Sequence, residues 1–261
     1  MKTVAILICL ISCTYAASRM ERPPAPGPEN TIKNVAGKDI NARFAEPDSF
    51  KRIWQDSGSF GYYLRHLPLK ADGALVAYFN GETKQPGDVY CAVVDMPISN
   101  KDLQQCADAV MRLRGEYLFS RGAYEKISFR FTGDGRMHGF KEYAGNDYSY
   151  NKFRKYMEYV FGYANTASLK KQLKPVPFSS MQIGDVLVQS GNPYGHAVIV
   201  VDICKNAKGE KMYMLAQSYM PAQETQILLS PGTQSPWYAA PERSTIVTPE
   251  WTFDTSDLRR W

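Results

Sequence analysis

The chain has 261 residues, of which 44% are hydrophobic, 13% aromatic and 22% charged, with a net charge of +5. That is the composition of a globular protein with material for a sizeable core, as one large domain or two small ones. The charge excess is mild and the basic runs at 151–156 and 170–174 are short, which argues against a nucleic-acid partner.

The first sixteen residues read as an export signal: "MKT" supplies positive charge, "VAILICLIS" an apolar core, and "TYA" or "AAS" a small-residue cleavage site. The apolar run is about half of the ~20 residues a membrane-spanning helix needs. "LISC" also fits a lipoprotein signal that would acylate Cys13. Either reading exports the protein, to the periplasm, the outer membrane as a lipoprotein, or the medium, with membrane contact only through such an anchor. Residues 17–36, which include "ERPPAPGPEN", read as a proline-rich tether. Residues 37–261 are expected to form a single α+β domain.

Within that domain, 59–70 is an aromatic-rich opening segment, and 74–79 and 90–96 have the pattern of strands. Helical periodicity covers 101–118, where Leu103, Cys106, Val110, Leu113 and Tyr117 share one face. Ser99 with Asp102 resembles a capping box ahead of it. The spacing allows a start at Asn100, which puts Cys106 in the second turn, or nearer Leu103, which leaves the N–H groups around Cys106 free. Residues 126–132 alternate as a strand, 133–139 form a turn, 150–164 an amphipathic helix, and "SLKKQL" a short third helix. Strands at 184–189, 196–203 and 211–219, joined by short loops, make an antiparallel meander. The tail carries turns and one strand, with Trp237, Trp251 and Trp261 as packing partners. Arg112 and Arg114 are expected on the helix surface, and Asp185 and Asp202 at turns or strand ends.

Five cysteines are present, and Cys9 and Cys13 belong to the export segment. Cys91, Cys106 and Cys204 remain, so at least one thiol is unpaired within a monomer. Cys91 and Cys204 read as packing residues or as a mutual disulfide. There is no CxxC and no Cys/His cluster, so no metal and no cofactor is expected. Cys106 is either a small apolar residue on a packed stripe or a nucleophile beside a base. Among three histidines, His196 is the strongest base because it follows Gly195 and opens a buried strand. A turn at 206–209 pairs strand residues whose numbers sum to 415 or 413, facing His196 with Tyr219 or Gln217. Alternation puts Gln217 and Tyr219 on the His196 face in either register. Gln217 can accept a hydrogen bond from the imidazole and fix its tautomer.

The stretches "GDVLVQSGNPYGHAVIVVDI" and "QQCADAVMRL" resemble segments of the NlpC/P60 and CHAP cysteine peptidases and amidases, including the glutamine before the cysteine. That resemblance implies a papain-like α+β fold, a Cys-bearing helix packed on an antiparallel sheet, with Cys106, His196 and Gln217 as catalytic residues. Over most of 50–261 the chain also resembles a family of exported Bacteroidetes proteins, domain of unknown function 4846, through "LRHLPLK", "DLQQCADAVMRLRGEYL", "GHAVIVVD", "LAQSYMPAQ" and "TPEWTF". The expected activity is a thiol hydrolase cleaving amide bonds in peptidoglycan, peptides or another envelope polymer. The competing expectation is a non-catalytic envelope protein of the same fold that binds glycan or protein. A glycosidase is the third, although no pair of carboxylates stands out.

Overall fold

A computed structural model describes residues 33–85, 87–191 and 193–261. The expected export segment, with Cys9 and Cys13, and the expected tether up to residue 32 lie outside the described residues. The chain is already paired at Lys33, which bridges to Phe44, ahead of the boundary expected at 37.

Three helices matter for the site: α1 (Cys106–Ser120), α2 (Tyr150–Tyr163) and α3 (Thr166–Gln172). The strands used below are β1 (Tyr90–Val93), β2 (Val186–Gln189), β3 (His196–Lys205), β4 (Lys211–Gln217), β5 (Gln226–Leu228), β6 (Thr245–Val247), β7 (Thr252–Asp254) and β8 (Leu258–Arg260). The architecture is mixed α+β, built on a nine-stranded sheet whose pairings are antiparallel. Its main path runs β1-β5-β4-β3-β2-β8 and ends on a short strand at Lys174–Pro175, so the predicted meander of β2, β3 and β4 forms the centre. A separate two-stranded hairpin, β6 with β7, packs on one face.

β3 is buried along nearly its whole length because both of its faces are covered. Ala197, Ile199 and Val201 meet Ala107, Val110 and Met111 of α1. Val198 and Val200 point the other way, toward Ile246 and Phe253 of the hairpin. Each fully buried side chain of this size contributes about 1.5–3 kcal/mol. This explains why an unbroken apolar run, rather than strict alternation, marks the central strand. No helix among the described residues is long and apolar enough to cross a membrane.

The structure revises several expectations. α1 starts at Cys106, later than either start allowed above, because Asp108 turns back to the Gln105 N–H at 3.0 Å and so fixes the first turn there. Asp102 caps nothing in α1 and accepts instead from the Ala222 N–H at 2.6 Å. The turn at 133–139 includes a short strand, Met137–Gly139, paired with Ser128–Arg130. The third meander strand ends at Gln217 rather than 219. The tail supplies Tyr238–Ala239, β6, β7 and β8 rather than one strand.

Arg112 is buried, not on the surface, and donates to Gln104 Oε1 at 2.6 Å and to the Pro97 carbonyl at 2.8 Å. Arg114 lies over the Phe60 and Tyr117 rings instead of reaching into water. Asp202 sits inside β3, fully buried, where Arg52 and Arg65 reach its two oxygens at 2.6 and 2.7 Å. Asp185 stands just ahead of β2 as expected, buried and with Arg260 at 2.6 Å. Cys91, Cys106 and Cys204 are free thiols, so the disulfide alternative for Cys91 and Cys204 falls.

Candidate functional site

Cys106 occupies the first helical position of α1. The N–H groups of a helix's first turn have no intrahelical acceptor, and the helix dipole is positive there. Its own N–H and those of Ala107 and Ala197 act as donors toward the sulfur and favour the thiolate. Burial acts in the opposite direction and dominates, with the Asp108 carboxyl adding to it, so the thiol is pushed up to about 11. Asp108 is itself buried, and desolvation holds its carboxyl well above the usual range. Its Oδ1 has no hydrogen-bond partner.

His196 is the first residue of β3 and pairs with Gln189 of β2. The glycine before it is demanded by packing: a Cβ on Gly195 would come within 2.2 Å of the Gln189 carbonyl oxygen. The imidazole is 1% exposed and lies against Tyr219, Trp251 and Phe253, with ring centroids 4.8, 5.3 and 5.8 Å away. Burial pushes its pKa down to about 4; the Gln217 hydrogen bond opposes this and the nearby Lys84 cation reinforces it.

The imidazole Nε2 and Gln217 Oε1 are 2.8 Å apart. On its other side Gln217 donates through Nε2 to Glu250 Oε2 at 2.6 Å. Glu250 in turn holds the buried Lys84 ammonium through both carboxylate oxygens at 2.7 Å. A carboxylate only accepts, so the amide nitrogen must face Glu250 and the amide oxygen must face the ring. The ring proton therefore sits on Nε2, and Nδ1 carries the lone pair.

The three residues expected from the sequence gather at the start of β3 by different contacts. His196 and Gln217 are hydrogen-bonded. Cys106 reaches the backbone one residue from His196, at the Ala197 N–H. Tyr219, the other residue that the hairpin arithmetic placed opposite His196, lies against the imidazole. Its hydroxyl is held above the usual range by burial first, then by the charges of Glu250 and Cys106. His66 and His138 stand apart, the first against Tyr62 and the second paired with Asp134.

Sequence reasoning missed Lys84 and Glu250 and gave Trp251 no role beyond packing. Only the neighbourhood of Glu250 to Trp251, in a stretch already singled out as "TPEWTF", pointed there. No spacing rule links position 84 or 250 to 217. Among the described residues no group of His, Cys, Asp and Glu could hold a metal ion. The cavity of about 400 Å³ beside Cys91, Tyr90 and Asp72 is lined by none of the site residues.

Comparisons with curated proteins and with solved structures returned no match. A family model described as Domain of unknown function (4846) matches residues 40–260, which span the sheet, α1 and every residue of the site. The chain belongs to that family.

Proposed function

We propose that the chain is an exported thiol hydrolase of papain-like layout that cleaves amide bonds in peptidoglycan, peptides or a related envelope polymer. The observation that carries this reading is the locked imidazole of His196, held by Gln217 one residue along β3 from the Ala197 N–H that acts on the Cys106 sulfur. With the thiol pushed up to about 11 and the imidazole down to about 4, both groups rest neutral at pH 7. Attack is then general-base catalysed. The sulfur–carbon bond forms as the thiol proton passes to Nδ1 of His196, and the carbonyl π pair moves to oxygen. The N–H of Cys106 is the candidate donor to that oxyanion. Collapse breaks the carbon–nitrogen bond, and the departing amine takes the proton from Nδ1. Water, deprotonated by the same nitrogen, releases the acyl group from sulfur and restores the thiol. No cofactor enters these steps.

A second reading has its own observation. Cys106 and His196 are both buried and burial opposes the charged form of each, as expected of a retained structural cluster in a non-catalytic envelope protein that binds glycan or protein.

The rate of Cys106 alkylation by iodoacetamide against pH, in the native protein and in His196→Ala, separates the two. Peptide mass spectrometry distinguishes Cys106 from Cys91 and Cys204. A hydrolase site labels near neutral pH and loses at least about tenfold in rate without His196. Labelling that is unchanged by the substitution, and rises only toward the thiol's own value of about 11, overturns the hydrolase reading and favours the second.

A further inference from the structure

A glutamine amide is nearly symmetric in shape but not in chemistry, and turning it over exchanges an acceptor for a donor. Facing Nε2 of an imidazole, the oxygen selects the Nε2–H tautomer. The NH2 group selects the Nδ1–H tautomer, which has no lone pair on Nδ1. Gln217 alone cannot make that choice, because both orientations fill the same space. The choice is made on its far side, where Glu250 Oε2 stands 2.6 Å from the amide. Turned over, Gln217 would set its oxygen against that carboxylate oxygen, acceptor against acceptor. Glu250 is kept in place by Lys84, a buried lysine that holds both carboxylate oxygens and also lies over the Tyr219 ring.

We propose that Glu250, held by Lys84, is a positioning residue that sets the tautomer of His196 through the Gln217 amide. The consequence for catalysis rests on the thiol-hydrolase reading, whereas the tautomer itself does not. Lys84, Glu250 and Gln217 come from three separate places in the chain, a short strand at Thr83–Lys84, the turn between β6 and β7, and the end of β4. Among the described residues, the hydrogen bonds of Glu250 reach Gln217 and Lys84 and neither the ring nor the thiol, so its route to His196 is Gln217.

The test is the pattern of imidazole ¹⁵N shifts, read by long-range ¹H–¹⁵N spectra of ¹⁵N-histidine protein at mildly alkaline pH. His196→Gln assigns the His196 signals among the three histidines. The native protein is expected to show one tautomer, with the proton on Nε2. Glu250→Gln keeps the shape and adds a donor. Its two His196 nitrogen shifts should converge or exchange as the Nδ1–H form becomes populated. Adding Gln217→Glu to that variant puts an obligate acceptor beside the ring and should restore the single Nε2–H pattern. A native Nδ1–H form overturns the proposal with no variant needed, and so does a Glu250→Gln spectrum identical to the native one. If Glu250→Gln does not fold, the doubly exchanged protein, which conserves charge and shape, must still show the Nε2–H form or the proposal fails. A tautomer that follows this scheme while Cys106 labelling ignores His196 sinks the hydrolase reading and leaves the positioning role intact. A tautomer indifferent to Glu250, with labelling that needs His196, does the reverse.

Discussion

Asp108 adds most, after burial itself, to the resistance of Cys106 to ionisation, and it does so from a position it holds for a different reason. Its Oδ2 accepts from the Gln105 N–H and thereby defines where α1 begins. Asn at 108 retains an oxygen for that hydrogen bond and removes the charge. Asp108→Asn should therefore leave the helix start intact and lower the thiol pKa. Labelling of Cys106 at alkaline pH should accelerate roughly threefold to tenfold, the equivalent of a half-unit to one-unit shift. No acceleration, measured by the same peptide-resolved alkylation, would mean that the Asp108 charge does not reach the sulfur. The stripe of Cys106, Val110 and Leu113 was legible because periodicity reports which face is buried, whereas Leu103, expected on the same face, lies ahead of the helix. The helix start was not, since Asp102 and Asp108 are both suitable capping residues and only the tertiary partner at Ala222 decides which one is diverted.

Among the elements, β3 holds the feature that makes the site. Near the turn its pairing with β4 runs Lys205 to Lys211 and Asp202 to Met214, whereas beyond it Val200 meets Leu215. One extra residue is accommodated in a bulge there. Strict alternation continued from Cys204, which faces the helices, would turn His196 toward α1. The bulge reverses the phase and delivers His196 to the face of Gln217. The turn arithmetic reached the right partners because the sum of 415 holds beyond the bulge, although the pairs next to the turn sum to 416. Asp202 lies at this irregularity with both oxygens taken by arginines and Oδ1 also accepting from the Ile203 N–H at 2.8 Å. Asp202→Ala leaves the buried Arg65 without its carboxylate and Arg52 with Glu46 as its remaining partner, and should cost about 3–5 kcal/mol in urea unfolding. A loss under about 1 kcal/mol would show that the bulge does not depend on this cluster.

At the scale of the whole molecule, His196 should make stability depend on pH. Its folded pKa is about 4 against 6.5 for the free group, so between those values the unfolded chain binds the extra proton. The contribution is fully present above about pH 6.5 and is lost as pH falls toward 4, amounting to about 3 kcal/mol. The difference in urea stability between the native protein and His196→Gln should shrink by that amount over this window. A constant difference would mean that the imidazole is solvated in the folded state. The central meander was readable in the sequence because long buried strands carry a strong apolar signal. Of the outer strands, β1 showed in the pattern at 90–96, whereas β5 and β8 are three residues each, too short for a period to show. The β6–β7 hairpin is equally short, and its turn carries Glu250 and Trp251, so the part of the site that closes over His196 was the part least visible.

The position of Glu250 also bears on how relatives of this chain should be compared. Position 250 follows Gln217 by 33 residues, on a hairpin that shares no ladder with the central sheet. A relative could keep the cysteine, the histidine and the glutamine, satisfy any three-residue signature, and still present the wrong ring nitrogen if its acceptor at 250 were gone. On the hydrolase proposal, divergence within the family would then be silent in Cys106, His196 and Gln217 and audible only in the hairpin, so a comparison of members should start from position 250.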